Sequence, residues 1–221
     1  MILCHPQIEA ELDFSTPQIP SLVVENPAFF RALLLDLYAQ QEGAAGQFIL
    51  SDGGKELTHS TWLELVDNCL HFQLNTRPLL GRLAAAMERH AVSEEFFVKT
   101  AEMLQQLEQY VDELAFSFDC DIVCEHCTVA GILKVVGPSL RDDYDDPLER
   151  LLDYMEFVRT FDRDKLFVLV HLRSFFADEH LERFLQTVSA HGYHVLLMDA
   201  AAGKKLSLES RVTIDNDLCE F

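Results

Sequence analysis

The sequence predicts an α/β protein whose head is split by a long α-helical insertion. Three observations carry the prediction. Towards the C-terminus two continuous apolar runs, KLFVLVHL at 165–172 and YHVLLMDA at 193–200, flank an amphipathic segment, DEHLERFLQTVSAHG, that Gly192 ends. Strand, helix, strand with apolar runs is the pattern of a parallel βαβ unit whose strands are buried on both faces. Far upstream, SLVVE at 21–25 has the same character and suits the same sheet. Between these parts the sequence is mostly of helical pattern. The division is a first head segment at 1–55, a helical part at 56–150 and a second head segment at 151–221.

Each element follows in order from its residues. IEAELDF and PSLVVEN read as short strands, and AFFRALLLDLYAQQEG as a helix with Pro27 in its first turn and Gly43 beyond its end. QFILSDGGKELT at 47–58 reads as a hairpin turning at Gly53-Gly54. STWLELVDNCLHF at 60–72 is expected as a helix with Trp62, Leu65, Val66, Cys69 and Leu70 on one face. A second helix starts near Pro78 and carries Leu79, Leu80, Leu83 and Met87. Ser93 is the expected cap of a third, with Glu94 and Glu95 in its first turn. Its apolar positions, Phe97, Thr100, Leu104, Leu107, Val111 and Leu114, repeat at alternating spacings of three and four. That is a coiled-coil-like seam, open to an internal helical hairpin or to an oligomer contact. TVAGILKVVGP runs from a Thr128 cap to a Gly137 stop, and Asp146-Pro147 opens a helix with Leu148, Leu151, Leu152, Met155 and Val158 as its buried stripe. VTIDNDLCEF is expected as a last strand.

Composition bounds the partners. The chain of 221 residues has a formal charge of −20, from 17 Lys and Arg against 37 Asp and Glu. Taken alone this opposes nucleic acid, whose phosphates would be repelled, unless a minority basic patch is set apart on one face. No apolar run reaches the roughly 18 to 20 residues that span a bilayer, so no membrane is expected. MILCHPQIEAEL lacks a basic region followed by a long apolar stretch, so no signal peptide is expected; the location is cytoplasmic, where thiols stay reduced.

The most unusual segment is FDCDIVCEHC at 118–127, with three of the six cysteines and one histidine. Structural zinc usually takes four ligands, commonly from two separated pairs. Cys124 and Cys127 form one pair with Cys120 and His126 beside it, but Cys4, Cys69 and Cys219 supply no second pair. Zinc is therefore disfavoured, and the cysteines read as partly buried small apolar residues. Asp119, Asp121 and Glu125 in the same stretch are hard oxygen donors of the kind calcium takes, or simply a solvated acidic loop. A phosphate-binding loop needs G-x4-G-K-[ST] after a strand. SLVVENPAFF has neither glycine nor lysine, Gly53-Gly54-Lys55 is followed by Glu56, and KLFVLVHLRSFF offers no metal carboxylate after its strand. G-x-S-x-G and H-E-x-x-H are also absent, so no catalytic set stands out and the protein is expected not to be an enzyme. Among the few bases, Arg82 and Arg89, seven apart, share a face of the second helix with Arg77 just before it, and Lys99 lies on the third, with Lys204-Lys205 a second candidate patch.

The order of these pieces resembles the Csn-two family, accessory adaptation proteins of type II-A CRISPR loci. The resemblance runs over nearly the whole chain: SLVVENPAFFRALL, the helical arm, KLFVLVHLRSFFADEHLERFLQTV, YHVLLMD and VTIDNDLCEF, with VVENP and IDNDLCEF its most specific parts. It implies a head derived from a P-loop ATPase fold with a degenerate nucleotide site, and an inserted α-helical leg. It implies a calcium-bound homotetrameric ring that threads double-stranded DNA ends through a Lys- and Arg-lined hole without sequence preference. It implies a role in spacer acquisition, alongside the adaptation integrase and the RNA-guided nuclease. By position, Asp119, Asp121 and Glu125 become the calcium ligands, and Arg77, Arg82, Arg89 and Lys99, by their place in the leg, the DNA path. The departure is the softer set Cys120, Cys124, His126 and Cys127 among the carboxylates. Two other classes stay open: a zinc-containing or acidic protein-interaction module, and a divalent-metal-dependent ATPase or nuclease.

Overall fold

A computed structural model describes residues 1–57, 62–162 and 165–221. It is a mixed α/β protein dividing into two compact units, residues 1–72 with 144–221, and residues 73–143.

The first unit holds two sheets. Strands β1 (Ile2–His5), β2 (Ile8–Asp13), β4 (Ile49–Asp52) and β5 (Lys55–Glu56) form an antiparallel sheet in the order β2-β1-β4-β5. The expected hairpin is there, and Gly53 and Gly54 turn it with φ of 54° and 79°, the mirror-image turn that matches strand twist; Thr58 lies outside the described residues. Strands β3 (Ile19–Val24), β6 (Leu63–Val66), β7 (Leu166–Val170), β8 (His194–Asp199) and β9 (Glu209–Ile214) form a wholly parallel sheet in the order β6-β7-β8-β3-β9. Every residue of β3 and β7 is buried, as the apolar runs require. Alternate residues serve opposite faces: Leu22, Val24, Leu166, Val168, Leu196 and Met198 join one core cluster with Leu33 and Leu37 of helix α1 (Pro27–Gln41) and with Leu3, Leu12 and Leu50 of the antiparallel sheet. Helices α5 (Pro147–Phe161) and α6 (Asp178–His191) belong to the same unit. Asp146 caps α5 by accepting from Leu148 N at 2.9 Å, as its place before Pro147 predicts.

Two expectations in this unit fail. The helix expected at 60–72 is a strand: Leu63–Val66 pairs in parallel with Leu166–Leu169 at the edge of the sheet. Leu63 and Val66 are buried and the two residues between them only partly, a three-residue spacing that imitates one face of a helix. Residues 60 and 61 of that expectation lie outside the described residues. The final strand is Glu209–Ile214 rather than VTIDNDLCEF; after Ile214 the chain turns back, and Glu220 bridges Ile214 antiparallel.

The second unit holds α2 (Arg77–Ala91), α3 (Phe97–Ala115) and α4 (Val129–Val136), with α2 packed on α4. Thr128 Oγ1 accepts from Gly131 N at 3.1 Å and Gly137 ends α4 at φ 62°, as read from the sequence. Ser93 does not cap α3 with its side chain; the helix starts four residues later, with Ser93 O accepting from Phe97 N at 2.8 Å. Near the ends of the unit, Asn75 and Leu140 exchange two hydrogen bonds: Asn75 Nδ2 donates to Leu140 O (3.0 Å) and Leu140 N to Asn75 Oδ1 (2.8 Å). The described helices α2, α3 and α4 contain no buried residue.

Candidate functional site

The corner between β3 and α1 is where a parallel α/β sheet would cradle a phosphate, because free amides gather at a helix N-terminus there. Here they are taken. Asn26 Oδ1 accepts from Ala28 N and Phe29 N, each at 3.0 Å, and its Nδ2 donates to Asn216 O at 2.9 Å. Pro27 has no amide hydrogen, and Glu25 before it brings negative charge. The side chain that caps the helix thus occupies the anion's place.

A buried charge cluster that the sequence reading missed lies in the same unit. Glu209 is fully buried at the start of β9, its Oε2 2.5 Å from Arg173 Nη2 and its Oε1 2.8 Å from Arg211 Nε. Asp199, buried at the end of β8, has its Oδ2 3.7 Å from Arg173 Nε. Burial pushes the Asp199 carboxyl up, above the ordinary range, although Arg173 and His171 oppose this. Burial acts on Glu209 in the same sense, but the bonds from Arg211 and Leu206 N and the Arg173 charge outweigh it and hold Glu209 low. The two arginines also clamp the following loop, Arg173 Nη1 donating to Lys204 O (2.9 Å) and Arg211 Nη1 to Gly203 O (2.7 Å). Lys204 and Lys205 ride exposed on that loop. Glu, Arg and Ser alternating in ESRV hid a strand whose charges are paired inside.

The four proposed DNA-path residues are all solvent-exposed. Arg82 and Arg89, seven apart, share a face of α2, whereas Arg77 sits about a third of a turn round it. Lys99 lies in the first turn of α3.

The segment after α3, residues 116–128, has neither helix nor strand. Asp119, Asp121 and Glu125 are all exposed on it. Asp119 and Asp121 line one open cavity with Asp112, while Glu125 lines the neighbouring one with Asp112 and Glu108. Among the described residues no three His, Cys, Asp or Glu side chains stand together as a metal group. A calcium ion held by all three carboxylates therefore needs the segment to rearrange or another chain to add oxygens, since calcium takes about six to eight. The cysteines correct an expectation: Cys120 and Cys124 are exposed and Cys127 is half-buried, so the first two are not small apolar packing.

The seam of α3 is laid open. Phe97, Leu107, Val111 and Leu114 are all exposed, and none of the helix is buried, so among the described residues no helical hairpin covers them. No described helix is long and apolar enough to cross a membrane.

The model of one protein family, described as CRISPR-associated protein (Cas_Csn2), matches residues 40–218. No curated protein matches the chain.

Proposed function

The chain belongs to this CRISPR-associated family, and from that premise we propose that it is a non-catalytic, sequence-independent binder of double-stranded DNA ends that works in spacer acquisition as a homotetrameric ring. The observation that carries the reading is the open seam on α3. Apolar residues at alternating spacings of three and four, exposed along a nineteen-residue helix, suit a facing helix from another copy. Within the assembly Arg77, Arg82, Arg89 and Lys99 are the candidate contacts to the duplex. Backbone phosphates alone give binding without sequence preference, and a ring repeats each base around the hole. The carboxylates that make the chain acidic then stay outside the hole or on calcium, for which Asp119, Asp121 and Glu125 are the candidate donors. The occupied amides at the β3–α1 corner support a role without nucleotide turnover. Partners in this reading are the adaptation integrase and the RNA-guided nuclease, in the cytoplasm.

The test is a gel-shift titration of linear and covalently closed circular duplex, with calcium and then with chelator, beside light scattering of the free protein. The expected result is a mass of about four chains of 25.2 kDa and binding to linear DNA only, lost with chelator. A monomer that ignores linear duplex overturns the reading.

A further inference from the structure

Exposed cysteines are unusual, because the thiol is among the side chains most often buried. Residues 118–127 expose two and half-expose a third within eight positions, and neither packing nor a disulfide accounts for them. A second element addresses the same place. Glu108, one face of α3, accepts from Cys127 N at 2.8 Å, and the same oxygen lies 3.2 Å from His126 Nδ1. With Nδ1 so engaged, the Nε2 of His126 is the nitrogen left to bind. Cys124, His126, Cys127 and Glu108 line one cavity of about 170 Å³. A carboxylate on one imidazole nitrogen, with the other nitrogen and nearby thiols open, is how metal-binding histidines are oriented.

We propose that Cys124, His126 and Cys127, with Cys120 as the fourth donor, bind a zinc-class divalent cation, and that Glu108 positions His126 and the Cys127 backbone for it. Three thiolates and one imidazole are a known structural zinc set, and they are too soft for calcium. Among the described residues the four donors do not stand together, Cys120 lining a cavity apart from the other three. Binding draws in a segment that has no helix or strand to break, so metal affinity and local ordering are one process. The proposal does not rest on the DNA reading, but its cavity is shared with Glu125, one of the carboxylates considered for calcium.

The test uses the full chain under a phosphine reductant. Cobalt(II) is titrated and read by its thiolate charge-transfer and tetrahedral visible bands; zinc is then added as competitor, and bound metal is counted by elemental analysis. The expected result is about one metal per chain that excess calcium does not displace. Cys124→Ser with Cys127→Ser abolishes the bands, with circular dichroism showing the helices unchanged. Glu108→Gln weakens binding by roughly 10–100-fold. Asp119→Asn with Asp121→Asn leaves zinc binding intact, which separates this site from a calcium site. Absent thiolate bands in the unmodified chain, or bands that survive the double cysteine change, overturn the proposal.

Discussion

Residues 1–72 with 144–221, and residues 73–143, are helices and strands of the same chain built on different terms. Among the described residues the first unit holds nearly all of the buried apolar side chains: β3 and β7 are covered on both faces, and the buried Glu209 is paired with Arg173 and Arg211. The second unit, among the described residues, buries only Leu74. Its helices are fixed by local devices instead: the Thr128 cap, the Gly137 stop and the Asn75–Leu140 exchange. Such devices decide where a helix begins and ends, but tertiary burial supplies most helical stability. The first unit is thus specified by its own interior, and the second, among the described residues, by its local devices.

Substitutions test the contrast by how unequal their costs are. Arg173→Ala strips a fully buried Glu209 of one partner and is expected to lose about 3–5 kcal/mol in urea unfolding. Acid reaches the same cluster. Glu209 is held low in the folded state, so its contribution is complete above its unfolded value of about 4.3 and is lost as pH falls through the lower folded value. Asp199, raised by burial, acts oppositely, its contribution being complete at low pH and lost as pH rises through its raised value. Glu209→Gln should therefore flatten the acid limb of a stability–pH curve, and an unchanged limb would show that the pair is not what sustains it. Leu196→Ala, at a fully buried position of β8, is expected to cost about 2–5 kcal/mol. Asn26→Ala removes the α1 cap for about 1 kcal/mol, read as a small shift of the same transition. Smallest on the isolated chain is Leu107→Glu with Val111→Glu on the open seam. It should stay within about 0.5 kcal/mol for the monomer while lowering the mass seen by light scattering. A loss as large as that of Leu196→Ala would erase the distinction between the units.

The same contrast governs what could be read in advance. Strands buried on both faces announce themselves, so LVV, LFVLV and VLLMD were legible, as were caps with a local chemical signature, Asp146-Pro147 and Thr128 with Gly137. Edge elements were not. Leu63–Val66 has one neighbour and half-buried middle residues, so its apolar spacing matched a helix better than a strand. The beginning of β9 was hidden because the buried Glu209 is paired with Arg173, 36 residues away and outside any pattern a local window can hold. In the candidate site, the soft donors were visible as residue types. What was not visible was Glu108, nineteen positions before Cys127 and on another element, which bonds Cys127 N and lies against His126.

The pairing of β3 has a consequence in time. Both its neighbours, β8 and β9, lie far further along the chain, Ser21 pairing with Leu197 and with Arg211. At roughly 5–20 residues per second, the ribosome leaves this wholly buried strand without its sheet for on the order of ten to forty seconds. Parallel partners this distant close slowly even after release. Cover close in sequence comes from the antiparallel sheet and α1, whose Leu33 and Leu37 share a core with β3 and lie soon after it in sequence. The small sheet is therefore an early shelter as well as a late part of the fold, and the nascent chain, more than the finished one, is where a chaperone would find something to hold.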